Sequence, residues 1–370
     1  MTARTTDEQY MALALDLARK GAGWTSPNPM VGAVIVKDGQ VIGQGYHAKC
    51  GDLHAERAAL ANCQGDPAGA TIYVTLEPCC HHGRQPPCTD AILEAGITRV
   101  VVGSGDPNPL VAGKGLDILR SHGVAVTEGV LDAECKALND VFFHYIQTGR
   151  PYVVLKYAMT LDGKLAAYTG ASHWITGEEA RRHVHTQRSR FRSIMVGVDT
   201  VLADDPQLTC RIEGGRNPLR IICDSHLRTP LSAKVVQTAK EVPTYLATCV
   251  TQELRLAPYR DLGCNILPVP ERSGHVDLDA LMTLLGKMGV DSVLLEGGAT
   301  LHWAAVEAGL VHKVQAYIAP KILGGKTAKS PVGGQGFAHP DQALILKSPA
   351  LTRLGQDILI ESEVESEVTP

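Results

Sequence analysis

Apolar runs of about five residues alternate with stretches of helical period along this chain, and the punctuation Thr148-Gly149-Arg150-Pro151 divides that alternation into two halves. Strands separated by helices build mostly parallel sheets covered by helices, so each half reads as an α/β domain. At 370 residues the chain exceeds the size at which one hydrophobic core keeps growing. Two domains are expected, 1–148 and 149–370.

In the first half, Thr6 with Gln9 three residues on resembles a capping box, opening a helix that reaches Lys20 and closes at Gly21. Residues 31–36 and 41–46 flank Asp38-Gly39, a two-residue turn tolerant of positive φ, which implies a hairpin. A helix over 54–63, a strand over 71–76, a helix from about Thr89 and a strand over 99–103 follow. A helix over 115–122, a strand over 124–126 and one last helix over 133–146 complete the half. In the second half, 152–156, 193–198, 219–223, 244–247 and 293–296 read as buried parallel strands. Glu361, Glu363, Glu365 and Glu367, interleaved with Ser and Val, read as a solvated tail beginning at about residue 361.

The composition removes several functions. With 44% hydrophobic and 20% charged residues and no apolar run of spanning length, the chain is expected to be a soluble protein without a membrane segment. Residues 1–10 lack the basic and apolar stretches of a secretory signal, and ten irregularly spaced cysteines suit metal binding or burial better than disulfides. A reducing cytoplasm is the expected home. A net charge of −4, with no basic stripe interleaved with aromatics, argues against a nucleic-acid partner and leaves room for a small phosphorylated substrate.

Chemistry concentrates in three places: His54-Ala55-Glu56 opening a helix, Cys79 after Glu77-Pro78, and Cys88 after Pro86-Pro87. Zinc held by one imidazole and two thiolates keeps a fourth position for water and lowers its pKa to about 7. Glu56, two residues past His54, is placed to take that water's proton and pass it to a departing amine, which makes it a general acid/base and no ligand. A closed structural site is the plain alternative, with Cys80, His81 or His82 as fourth ligand. It has no use for Glu56. Two other readings stay open: a deaminase of nucleic-acid bases, and a zinc-stabilised binding module.

The run Glu77-Pro78-Cys79-Cys80-His81-His82-Gly83-Arg84-Gln85-Pro86-Pro87-Cys88, together with Pro27-Asn28-Pro29-Met30-Val31-Gly32 and Asp106-Pro107-Asn108-Pro109, resembles the bifunctional riboflavin-biosynthesis deaminase/reductase family. The resemblance continues through Lys156-Tyr157-Ala158-Met159-Thr160-Leu161-Asp162-Gly163, Ser172-His173-Trp174-Ile175-Thr176, Leu202-Ala203-Asp204-Asp205-Pro206 and Glu296-Gly297-Gly298. Cys80 and Gln85 depart from the family's usual Ser and Thr.

The resemblance implies a cytidine-deaminase-like three-layer α/β/α domain followed by a dihydrofolate-reductase-like α/β domain, in a homo-oligomer, a dimer or tetramer. The first domain would deaminate a diaminopyrimidinone bearing a phosphoribosylamino group, and the second would use NADPH to reduce the ribosyl group of the resulting uracil to ribityl. Matched by motif, Asn28 would hold the pyrimidine, and His82, Arg84 and Lys114 the phosphoribosyl end. Ala158, Trp174, Thr200, Asp204, Ser225 and Gly298, Ala299, Thr300, Leu301, His302, Trp303 and Ala304 would line the NADPH site. Ser172, Arg188, Leu208, Arg211 and Glu296 would meet the sugar phosphate, with Lys156 beside Glu296 as acid/base or charge-stabilising group.

Read on its own residues, the second half says less. Gly297-Gly298 after a strand and before a helix can cradle a phosphate or simply form a tight turn, and it is not a G-x-G-x-x-G fingerprint. Trp174 can stack on a flat ring or fill a core, and Arg188 and Arg211 suit phosphate oxygens or an ordinary surface.

Overall fold

The computed structural model describes residues 4–83 and 85–365. Two compact units, Met1–Gly149 and Arg150–Pro370, divide the chain. Among the described residues, no helix is long and apolar enough to cross a membrane.

The first unit opens with α1 (Thr6–Arg19), and its capping box sits one residue ahead of the expected pair. Thr5 is the cap: its amide donates to Glu8 Oε2 at 2.7 Å and its hydroxyl accepts the Glu8 amide at 3.4 Å, so Thr6 and Gln9 already lie inside the helix. β1 (Gly32–Lys37) and β2 (Gln40–Tyr46) form the hairpin, with Asp38 at φ 49° and Gly39 at φ 76° in its turn. There follow α2 (Ala55–Ala61), β3 (Thr71–Leu76), α3 (Cys88–Glu94), β4 (Arg99–Ser104), α4 (Lys114–Ser121) and β5 (Ala125–Thr127). The sheet order is β2-β1-β3-β4-β5, with β3, β4 and β5 parallel and β1 antiparallel to both neighbours. Successive strand residues face opposite sides. Ile35, Ile72, Val74, Val100 and Val102 pack with Ala59, Ile92, Leu116 and Leu119 from α2, α3 and α4, while Val34, Tyr73 and Val101 pack on Met11 and Leu15 of α1. The result is three layers.

The single helix expected over 133–146 is two, α5 (Asp132–Leu138) and α6 (Asp140–Thr148), broken at Asn139. Asn139 is buried, and its side chain bonds Met30 from both arms of its amide. Helical periodicity runs unbroken through this point, so only the long-range bond reveals the break.

The second unit begins with β6 (Tyr152–Thr160), α7 (Glu178–Arg190), β7 (Ser193–Gly197), α8 (Val198–Asp204), β8 (Leu219–Cys223), α9 (Lys234–Gln237), β9 (Thr244–Thr248), α10 (Glu253–Asp261) and β10 (Asn265–Pro268). A small hairpin of β11 (Glu271–Arg272) and β12 (His275–Val276) precedes α11 (Leu278–Lys287), β13 (Ser292–Gly297), α12 (Ala299–Glu307), β14 (Lys313–Ala319), β15 (Ala350–Leu354) and β16 (Asp357–Glu363). The nine strands run β10-β9-β8-β7-β13-β6-β14-β16-β15, parallel up to β14 and antiparallel through β16 and β15. Met195, Ile221, Val293 and Leu295 pack on α11 and α12, and Ile194, Val196, Ile222 and Leu246 pack on α8, α9 and α10 from the other side.

Of the tail expected from about residue 361, residues 361–363 are the end of β16. Glu361 pairs with Gln315 of β14 and accepts its Nε2–H at 2.9 Å, and Glu363 meets Lys347 at 2.8 Å. Alternating charge there marks strand faces with partners, whereas Glu367 lies outside the described residues.

Arg220 of β8 is wholly buried without a carboxylate. Its guanidinium donates to the carbonyls of Gln207, Val235, Thr238 and Val242 and to the hydroxyls of Thr238 and Thr244. Five donors thus meet acceptors, and the segment after α8 is stitched to β8.

Candidate active sites

In the first unit β3 ends at Leu76 and the chain turns through Glu77-Pro78 to Cys79, while His54 caps α2 and Cys88 starts α3. The His54 Nδ1 atom lies 3.5 Å from Cys79 Sγ and 3.4 Å from Cys88 Sγ. Tetrahedral bonds of about 2.0 Å to nitrogen and 2.3 Å to sulfur put donor atoms roughly 3.5 Å apart, so the trio fits a zinc ion. Among the described residues no fourth His, Cys, Asp or Glu joins this cluster. Cys80, the neighbour that alternation turns away, points its thiol at the Leu110 carbonyl.

The two thiols share a proton. A hydrogen bond from Cys88 draws Cys79 down to about 4 against its burial, with His54 adding to the effect. Holding that proton, and its own burial, push Cys88 up. Glu56, in the first turn of α2 and 4% exposed, is pushed up to about 7 by burial first and the Cys79 charge second. A bound dication opposes both effects.

The second buried acid, Glu77, does different work. Its carboxylate accepts the backbone N–H groups of Asp106 (3.3 Å), Gly113 (3.0 Å) and Gly115 (3.1 Å), tying the loop before α4 to the metal-ligand segment. Gly115 has no side chain because a Cβ there would run into the Pro78 carbonyl. Asp106 lines the same cavity and is pushed up to about 6, chiefly by burial.

These groups face a cavity of about 430 Å³. Asn28 is in its wall and donates Nδ2–H to His47 Nε2 at 3.1 Å; His47 in turn gives its Nδ1–H to the Leu53 carbonyl. The wall takes His81 and leaves His82 exposed outside it, because neighbouring side chains in an extended loop point apart. His81 Nδ1 is buried without a partner. Lys114 is also exposed outside the wall, its ammonium on the Pro109 carbonyl, and Arg84 lies outside the described residues. Asp106 and Asn108, part of a quoted motif but given no role, line the cavity, as do His47 and the α6 residues Phe142, Tyr145 and Ile146, which were not singled out from sequence. Among those not singled out, only the aromatic pair after Asn139 offered a signal.

The second unit has its own cavity of about 450 Å³ at the C-terminal ends of its parallel strands, where open α/β sheets bind ligands. Glu296 of β13 is central. Arg188 of α7 grips both its oxygens at 2.8 Å, and Lys156 of β6 approaches at 3.6 Å. Burial resists ionisation of Glu296, yet the two cations outweigh it and hold the carboxyl at about 2. Burial pulls Lys156 below its ordinary value, against the attraction of Glu296, and the Tyr317 ring lies 5.6 Å from its Nζ.

Ser172, Arg211, Ala158, Trp174, Thr200, Asp204, Gly298, Ala299 and His302 also line this cavity. Thr300, Leu301, Trp303 and Ala304 do not, since one helix presents positions three apart to one side: Leu301 and Ala304 pack on the core and Trp303 meets Phe337. Leu208 is a core residue, and Ser225 accepts the Val276 amide. Arg188 spends its fork on Glu296, leaving Arg211 as the exposed guanidinium of the pair. Arg181, overlooked in sequence, stacks 4.6 Å above the Trp174 ring.

A nucleotide suits these residues. Gly298 has φ 88°, and a Cβ on Gly297 would come within 2.9 Å of Thr200 Oγ1, so bare backbone at the start of α12 opens onto the cavity.

The chain matches two family models: the cytidine and deoxycytidylate deaminase zinc-binding region over residues 4–104, and the RibD C-terminal domain over 151–360. It is 54% identical to the riboflavin biosynthesis protein RibD of Actinobacillus pleuropneumoniae over 98% of this chain and 96% of that one. A solved structure of Acinetobacter baumannii RibD is similar at TM-score 0.87 and 40% identity, covering 97% of this chain and 99% of that one. The Thermotoga maritima diaminohydroxyphosphoribosylaminopyrimidine deaminase/5-amino-6-(5-phosphoribosylamino)uracil reductase is similar at TM-score 0.86 and 37% identity, covering 97% and 98%.

Proposed function

The chain belongs to the bifunctional riboflavin-biosynthesis deaminase/reductase family and carries out its deamination and its reduction, and from that premise we propose how its own residues divide the work. His54, Cys79 and Cys88 would hold a zinc ion, which when bound would lower the pKa of water to about 7. Glu56 takes the proton at its carboxylate and returns it to the departing amine. His47, by fixing Asn28 Nδ2 as the donor between them, leaves Asn28 Oδ1 to accept an N–H of the pyrimidine. His82, Arg84 and Lys114 serve the charged phosphoribosyl end.

In the second unit NADPH is the reductant. Ala158, Trp174, Thr200, Asp204 and the start of α12 hold it, Ser225 completing the set. Lys156 carries the proton or the charge at the sugar, Glu296 meets the sugar itself, Arg188 fixes Glu296, and Ser172 and Arg211 meet the sugar phosphate. The protein acts in the cytoplasm as a homo-oligomer. Ten free cysteines favour a reducing compartment.

One observation carries the deaminase half: an imidazole and two thiols cluster closely enough to share an ion, and a separate buried carboxylate lines the same cavity as His54 and Cys79. Turnover of the diaminopyrimidinone phosphoriboside tests both halves. Ammonia release without NADPH, abolished by a zinc chelator and restored by zinc, is expected, followed on adding NADPH by its oxidation. Release that survives complete removal of zinc would count against the scheme.

A further inference from the structure

We infer that α6 is the substrate-facing wall of the deaminase cavity, with Phe142 covering the flat face of the heterocycle, and that Asn139 is the positioning residue that sets this wall in place. The inference rests on the deaminase reading above.

Phe142, Tyr145 and Ile146 stand at i, i+3 and i+4, one stripe of the helix, and all three line the cavity that holds His54, Glu56 and Cys79. Val141, Phe142, Phe143, Tyr145 and Ile146 make α6 strongly apolar, yet no residue of it is buried. An apolar stripe at that spacing ordinarily faces a core. Here it faces the reaction space, and a flat ring would cover it. Phe143 meets the Phe142 ring edge to face at 6.0 Å and 89°, which braces Phe142.

The break at Asn139 makes this possible. α5 packs into the unit through Cys135, and an unbroken helix would carry the Phe142 stripe onward along the same axis. Asn139 interrupts it, ending α5 and starting α6 at φ −110° and ψ 27°. Its Oδ1 accepts the Met30 N–H at 2.8 Å and its Nδ2–H donates to the Met30 carbonyl at 2.9 Å. Only a carboxamide of this length offers both a donor and an acceptor to one backbone residue. Met30 directly follows Asn28 and Pro29, which line the cavity from the other segment. One side chain therefore registers two parts of the wall, the segment that reads the polar edge of the pyrimidine and the helix that covers its face.

Full-length Phe142→Ala, Phe142→Leu and Asn139→Asp are compared with the parent for deaminase KM and kcat, zinc content, and reductase activity in the same preparation. Phe142 is only partly buried and belongs to neither hydrophobic cluster around the sheet of the first unit, so truncating it spares that core. Phe142→Ala is expected to raise KM about tenfold while kcat stays within about threefold, the loss of one aromatic platform under a base, with Phe142→Leu between it and the parent. Asn139→Asp loses the donor and is expected to lower deaminase kcat/KM about tenfold, with zinc and reductase activity unchanged. An unchanged KM in zinc-loaded Phe142→Ala overturns the wall, and an unchanged kcat/KM in Asn139→Asp overturns the positioning role. A parent that releases no ammonia overturns the deaminase reading and this inference with it.

Discussion

Replacing Glu56 with glutamine is expected to slow ammonia release by about a thousandfold, a typical share for a positioned proton carrier, while zinc content stays at the parent's value. Glutamine has the shape of glutamate and keeps a carbonyl acceptor, so packing at this buried position barely changes. What disappears is the ability to gain and lose a proton. The three donor atoms proposed to hold the metal are untouched by the change, lying on His54, Cys79 and Cys88. Had Glu56 been a structural group of a closed site, its replacement would remove zinc and activity together; retained zinc with lost turnover separates the two. Metal analysis and a coupled ammonia assay on one preparation decide it.

The second large effect is expected at Glu296. Changing it to glutamine strands Arg188 and Lys156 beside each other in a buried site, and breaking a buried pair from one side costs about 3–5 kcal/mol. The second unit should therefore unfold earlier in urea, read through tryptophan fluorescence, since Trp174 and Trp303 lie in that unit and Trp24 in the first. Its pH dependence identifies the cause. The folded carboxyl, held at about 2, lies below its ordinary 4.5, so the unfolded chain binds the extra proton between those values. The stabilisation is thus complete above about 4.5 and is lost as pH falls toward about 2. The parent and Glu296→Gln should differ most near neutrality and converge in strong acid. A gap independent of pH would mean that the charge of Glu296 contributes nothing.

Much of the fold was written in local chemistry. Asp38-Gly39 demanded a tight hairpin, and the strand over 71–76 carried an apolar run without ambiguity. The proposed ligands His54, Cys79 and Cys88 stood out because nothing in a core requires two Pro-Cys steps downstream of His-Ala-Glu. What escaped depended on distant partners. Residues 361–363 look like the start of a charged tail until β14 supplies hydrogen bonds and Gln315 and Lys347 meet Glu361 and Glu363. Asn139 looks like one more helical residue until Met30, more than a hundred positions earlier, takes both ends of its amide. Arg188 looked like a phosphate ligand, and the buried Glu296 that occupies it comes from a strand far along the sequence. His81 and His82 are indistinguishable as letters, and only the path of the loop decides which one faces inward.

Zinc-edge X-ray absorption on the purified full chain is the most direct test of the metal centre. Two sulfur neighbours at about 2.3 Å and nitrogen or oxygen neighbours at about 2.0 Å are expected, falling to one sulfur in Cys88→Ser. A shell without sulfur, or one that keeps two sulfurs in Cys88→Ser, would contradict the assignment of His54, Cys79 and Cys88 as the ligands.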